Sequence, residues 1–83
     1  MSGYVLVDAT GLDTTKSSQT VSGFYTKLSS AISTDKLMIL TNVGLVTPMS
    51  AIAAPGSAAN SIKLTLPGFS AVVSSNDTVV KSN

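Results

Sequence analysis

The chain contains no cysteine, histidine, tryptophan, arginine or glutamate. Its ionisable side chains are five lysines, four aspartates and two tyrosines, and charged residues fill 11% of its 83 positions, against about 25% in an average globular chain. Each gap closes a class of chemistry. Without cysteine there is no disulfide staple and no dependence on a redox compartment. Without cysteine or histidine the usual zinc ligand sets cannot be assembled, and neither can a Ser-His-Asp or Cys-His nucleophile. Without arginine, and with five scattered lysines and a net charge of +1, there is no basic patch for nucleic acid. Apolar runs such as Leu37-Met38-Ile39-Leu40 stop far short of the ~20 residues that span a bilayer. The start Met1-Ser2-Gly3-Tyr4-Val5 has neither the basic nor the apolar segment of a secretion signal. The expectation is a chain with no membrane partner, no nucleic acid, no metal and no cofactor.

What is present is 43% apolar residues, with fourteen serines and ten threonines. Ordinary-to-high hydrophobicity with net charge near zero favours compaction over disorder. The same balance leaves little repulsion between copies. Eighty-three residues suit a single domain spanning 1–83. A domain of that size buries roughly 60–65% of its unfolded surface and holds about 4–12 kcal/mol of stability. Small domains with thin cores usually add disulfides, metals or partner subunits. With the first two excluded, the expectation is a homo-oligomer or a subunit of a larger assembly.

Along the chain, Tyr4-Val5-Leu6-Val7 reads as a first strand, ending in the turn signals Asp8-Ala9-Thr10-Gly11. Residues 11–18 are polar and read as a loop, with Ser17 or Ser18 as helix cap. Val21, Phe24, Tyr25, Leu28, Ala31 and Ile32 then fall on one 3.6-period stripe. The opposite face is serine and threonine, which form helix poorly, so this helix depends on packing. Ser33-Thr34-Asp35-Lys36 ends it. Leu37-Met38-Ile39-Leu40-Thr41 reads as a strand buried on both faces, or covered on one face by the helix. Leu45 to Ala54 is ambiguous, because Pro48 admits only an edge or bulged strand. Ala53 to Asn60 reads as a loop. Ser61 to Leu66 alternates, with Ile62, Leu64 and Leu66 inward. Pro67-Gly68 turns it into Phe69 to Ser74 as a hairpin. Ser75-Asn76-Asp77 is a further turn, and Thr78-Val79-Val80 a last short strand. The expected fold is a two-layer α+β domain in the order β-α-β-β-β, one helix on a four- or five-stranded mixed or antiparallel sheet.

The candidates for chemistry are few. Asp8 and Asp13 flank the first loop and could form a carboxylate pair, but aspartate also favours turns and helix ends, and that reading carries far more weight. Thr10 to Ser17 has glycine and Lys-Ser between strand and helix, yet Thr15 stands where a phosphate loop needs its second glycine. A Ser-Lys nucleophile would have to use Lys16 with Ser17 or Ser18, or Lys27 with Ser29, and none of these sits on a nucleophile elbow. Asp8 to Asp13 lacks the oxygen ladder of a calcium loop. No catalytic, cofactor-binding or metal residue is assigned, and the chain reads as a non-enzyme.

The order of an N-terminal strand, the aromatic helix Val21-Ser22-Gly23-Phe24-Tyr25-Thr26-Lys27-Leu28, a strand ending Leu40-Thr41-Asn42 and a Ser/Thr-rich meander resembles small virion proteins of tailed phages, of the head-fibre or capsid-decoration type. That resemblance spans roughly residues 4–80. It implies a non-enzymatic structural protein of the virion, assembled in the host cytoplasm, present in many copies and touching other capsid proteins. A homotrimer is implied by analogy with fibres. It assigns no role to any residue. The apolar positions left after the core is filled, Leu45, Val46, Met49, Ile52 and Val72, are the candidate oligomer or attachment contacts. The competing reading, from hydroxyl- and amide-rich loops, is a small module that binds glycans or peptides on a host surface.

Overall fold

In the computed structural model, which describes residues 3–32 and 34–82, the two most apolar runs lie side by side. β1 (Val5–Asp8) pairs in parallel with β3 (Leu37–Thr41), Val5 opposite Leu37 and Asp8 opposite Leu40. Strand β4 (Gly44–Val46) folds back antiparallel on β3. The Thr41 hydroxyl secures that reversal by donating to the Gly44 carbonyl (3.1 Å) and accepting from the Val43 N–H (3.2 Å). Its burial is therefore matched by hydrogen bonds. These three strands form a mixed sheet in the order β1-β3-β4.

A second sheet is antiparallel throughout. It takes in β2 (Ser18–Thr20), β5 (Ile52–Pro55), β6 (Ser61–Leu66), β7 (Phe69–Ser74) and β8 (Thr78–Lys81), in the order β2-β8-β7-β6-β5. β6 and β7 form the expected hairpin, with Leu66 opposite Phe69 across Pro67-Gly68. Proline first and glycine second, the glycine at φ +73°, is the residue pattern of a type II turn. The alternation of β6 places Ile62, Leu64 and Leu66 in the core. There they join Ala71, Val73 and Val79 from β7 and β8, Val7, Leu37 and Ile39 from the other sheet, and Phe24 and Leu28. One apolar cluster is thus shared by both sheets.

The described residues are mostly β, with one short helix and two sheets, so the α+β expectation holds only in outline. The order β-α-β-β-β and the single sheet are corrected. Residues 18–20 form a strand where the loop 11–18 was expected to lead into the helix, and Ala53 to Pro55, expected in a loop, belong to β5. Both are edge strands, joined to a neighbour by backbone bonds, and neither needs an apolar stripe for that. Gln19 is held through its side chain, which accepts from Asp13 N–H (2.8 Å) and donates to Asp13 C=O (2.8 Å).

Helix α1 (Phe24–Ser29) is shorter than its stripe. Gly23 precedes it at φ +74°, a left-handed conformation that cannot continue a right-handed helix. At the other end Ser29 and Ser30 hydroxyls donate to the carbonyls of Tyr25 and Lys27 (both 2.8 Å), competing with helix propagation. The expected last residue Ser33 lies outside the described residues. The stripe nevertheless packs: Phe24, Leu28 and Ala31 are buried, and Val21, Tyr25 and Ile32 rest against the core. The cap is neither Ser17 nor Ser18. Asp77, in the distant β7-β8 turn, accepts from Gly23 N–H (2.8 Å) and Tyr25 N–H (3.0 Å).

Candidate functional site

The four carboxylates serve local structure at separate places. Asp8 accepts from Thr10 N–H at 3.2 Å. Asp13 accepts from the Thr15 hydroxyl (2.6 Å) and N–H (2.9 Å), and these two bonds, hydroxyl first, hold its carboxyl below the ordinary range. Asp77 caps α1. Asp35 borders a shallow groove with Thr34, Met49 and Ile52. Among the described residues no three acidic groups converge on a point that would hold a metal. Lys16 is followed by β2 rather than a helix, so the phosphate-loop arrangement loses its second half.

One polar cleft of about 320 Å³ opens where β1 ends and α1 begins. Asp8, Thr10, Thr20, Ser22 and Lys27 line it, and Asp13 does not. The Lys27 ammonium points to the Asp8 carbonyl at 3.4 Å, leaving hydroxyls, one carboxylate and one ammonium around the opening. Such a set can hydrogen-bond a polar ligand. It lacks a nucleophile paired with a base.

The five expected contact residues do not gather into one patch. Leu45 is half exposed and stands on the outer face of the three-stranded sheet. Val46, opposite Ile39, packs against the core. Met49 is 81% exposed in the β4-β5 connection, at φ +72°. Ile52 and Val72 lie on the outer face of the five-stranded sheet, on the far side of the core. Beside Leu45, the structure adds residues that the spacing did not single out. Leu6 is 62% exposed, with Met38 opposite it and Leu40 opposite Leu45, so the outer face of the small sheet is apolar on all three strands. The signal was in the sequence: 4–7 and 37–40 are apolar at consecutive positions, a pattern of strands covered on both faces. From Leu37 to Ile62 there is also no charged residue, so β4 and β5 lack the charges that commonly guard sheet edges.

No family model matches this chain, and no curated protein or solved structure matches it.

Proposed function

We propose that the chain is a non-enzymatic structural subunit of a tailed-phage virion, a two-layer α+β unit attached to the capsid as a head-fibre or decoration component. It is made in the host cytoplasm and incorporated in many copies, in contact with other copies and with other capsid proteins. By analogy with fibres the assembly is a trimer. The observation that carries this reading is the unshielded apolar surface. Leu6, Val43, Leu45, Met49 and Ile52 are each at least half exposed on a chain with nine charged side chains in all, five lysines and four aspartates. On the outer face of the three-stranded sheet Leu6 and Leu45 adjoin Met38 and Leu40, an exposed apolar patch of the kind that marks interaction sites, and a core this small gains from neighbours. Light scattering at micromolar concentration, with co-sedimentation against tailed-phage capsids, tests it. Capsid binding supports the reading, and a chain without capsid affinity, a monomer above all, overturns it.

The polar cleft favours a second reading, a module recognising glycans or peptides on a host surface. Its hydroxyls, Asp8 and Lys27 suit a polyhydroxy ligand. Its shortage of exposed aromatic platforms argues against sugar stacking. A glycan array with reproducible binding, lost on Lys27→Ala, would favour this reading over scaffolding.

A further inference from the structure

We propose that the outer face of the β1-β3-β4 sheet is a two-fold interface with a second copy of this chain, its strands antiparallel across the contact and Asp8 of each copy set against Tyr4 and Lys36 of the other. The inference rests on the subunit reading and puts a two-fold pair in place of the trimer that the analogy with fibres suggested. Parallel strand pairs are normally covered on both faces. Here the inner face meets the core, while Leu6, Met38, Leu40 and Leu45 form two adjoining apolar rows on the outer face, Leu6 and Leu45 at least half exposed and Met38 and Leu40 partly buried between them.

Charge selects the occupant and its orientation. Along its strands the face carries one cation and one anion, at opposite ends, and the Lys27 ammonium of α1 stands 3.4 Å from the Asp8 carbonyl at the rim. Lys36 lies beside Tyr4 just ahead of the Val5–Leu37 pair, its ammonium 5.5 Å from the centroid of the tyrosine ring. Asp8 lies at the far end of β1, opposite Leu40, about 13 Å further on at the usual strand rise. Stacking two copies about an axis that runs across the strands reverses their direction. Each Asp8 then approaches the Tyr4–Lys36 pair of the other copy, and Leu6 and Met38 meet their own counterparts near the axis. An axis along the strands would instead bring like ends together, the Lys36 end against the Lys36 end and the Asp8 end against the Asp8 end. The face is therefore complementary to itself in one of the two arrangements.

Area sets the strength. Three strands about 4.8 Å apart and three to five residues long offer roughly 190 Å², against about 800 Å² per partner in a stable interface. The pair is weak alone and becomes populated where many copies are held close together.

Sedimentation equilibrium and amide NMR between about 10 µM and about 1 mM test it on the full chain. The expected result is a monomer–dimer equilibrium whose shifts are confined to β1, β3 and β4. Asp8→Lys and Lys36→Asp should each weaken dimerisation about tenfold at low salt, and the two together should restore most of it. Leu6→Lys should abolish dimerisation, and Val72→Lys on the opposite sheet should leave it unchanged. Asp8 also accepts from Thr10 N–H, so Lys36→Asp and Leu6→Lys carry the test if Asp8→Lys fails to fold. A monomer at every concentration, a trimer, shifts centred on the five-stranded sheet, or a double charge variant without recovery would overturn the contact. A trimer that binds capsids would remove this interface and leave the subunit reading standing. A dimer without capsid affinity would do the reverse.

Discussion

The two sheets share one core and present opposite kinds of outer face. On β6, β7 and β8 the outward positions are Ser61, Lys63, Thr65, Ser70, Ser74 and Thr78, with Val72 and Val80 between them. On β1, β3 and β4 they are Leu6, Met38, Leu40 and Leu45, with Asp8 at one corner. The first pattern is that of an antiparallel sheet with a solvated side, and the second is that of strands meant to be covered twice. A folded monomer satisfies the larger sheet. The smaller one keeps apolar surface in the open at Leu6 and Leu45, each at least half exposed.

Four experiments press on this contrast, the largest effect first. Phe24 is fully buried in the core that both sheets share, and Phe24→Ala should remove about 3–5 kcal/mol. That is a large part of the about 4–12 kcal/mol available to a chain of this length. Amide signals in β3 and β7 should melt at one temperature in wild type and variant alike. Two separate melts would mean that the sheets are independent units and that their core is not shared. Next in size is Asp77→Ala, which strips both cap bonds from α1 and should cost about 1–2 kcal/mol in urea titration. Asp77→Asn should cost less, because asparagine tolerates the residue's φ of +70° and keeps one acceptor.

The faces themselves can be compared with a matched pair, Leu6→Thr and Val80→Thr, both at exposed strand positions. Each should change monomer stability by no more than about 0.5 kcal/mol. Only Leu6→Thr should lower the binding of a hydrophobic dye and suppress self-association. Equal effects from the two would erase the distinction between the faces. The smallest effect concerns pH. The folded-state pKa of Asp13 is lowered by the two Thr15 hydrogen bonds. Its stabilisation is therefore present above the ordinary carboxylate pKa and is lost as pH falls below about 4. With no histidine or cysteine in the chain, the denaturation midpoint should stay nearly level from about pH 6 to about 8.5. A strong slope in that window would contradict this.

The parts legible in the sequence are those where a local pattern has one physical outcome. The alternation Ile62-Lys63-Leu64-Thr65-Leu66 and the Pro67-Gly68 turn specify a hairpin whichever partners surround it. The stripe from Val21 to Ile32 names the residues that pack, even though the helix itself covers only Phe24–Ser29. Ser18-Gln19-Thr20 carried no such signal, because an edge strand is made by its neighbour's backbone. The contact residues were legible in kind rather than in place. Leu45, Val46, Met49, Ile52 and Val72 were picked as apolar residues left over, but which side of a strand each occupies depends on register, and a shift of one residue exchanges the faces. Val46 consequently turns to the core, and Leu6, Met38 and Leu40 take the positions beside Leu45.

By itself, the sequence determined the inventory: no cysteine or histidine for a usual zinc site or a histidine-paired nucleophile, few charges, and enough apolar residues to compact. It also determined the local periods of β6, β7 and the helical stripe, since side-chain spacing follows from backbone geometry alone. The tertiary structure decided how the strands divide into two sheets, that Asp77 rather than Ser17 or Ser18 caps α1, and which apolar residues remain outside. Those outcomes depend on pairings between residues far apart in the chain, such as Asp77 with Gly23 or Leu6 with Met38. No local preference encodes such pairings, and the register that creates them also sets which face is left open.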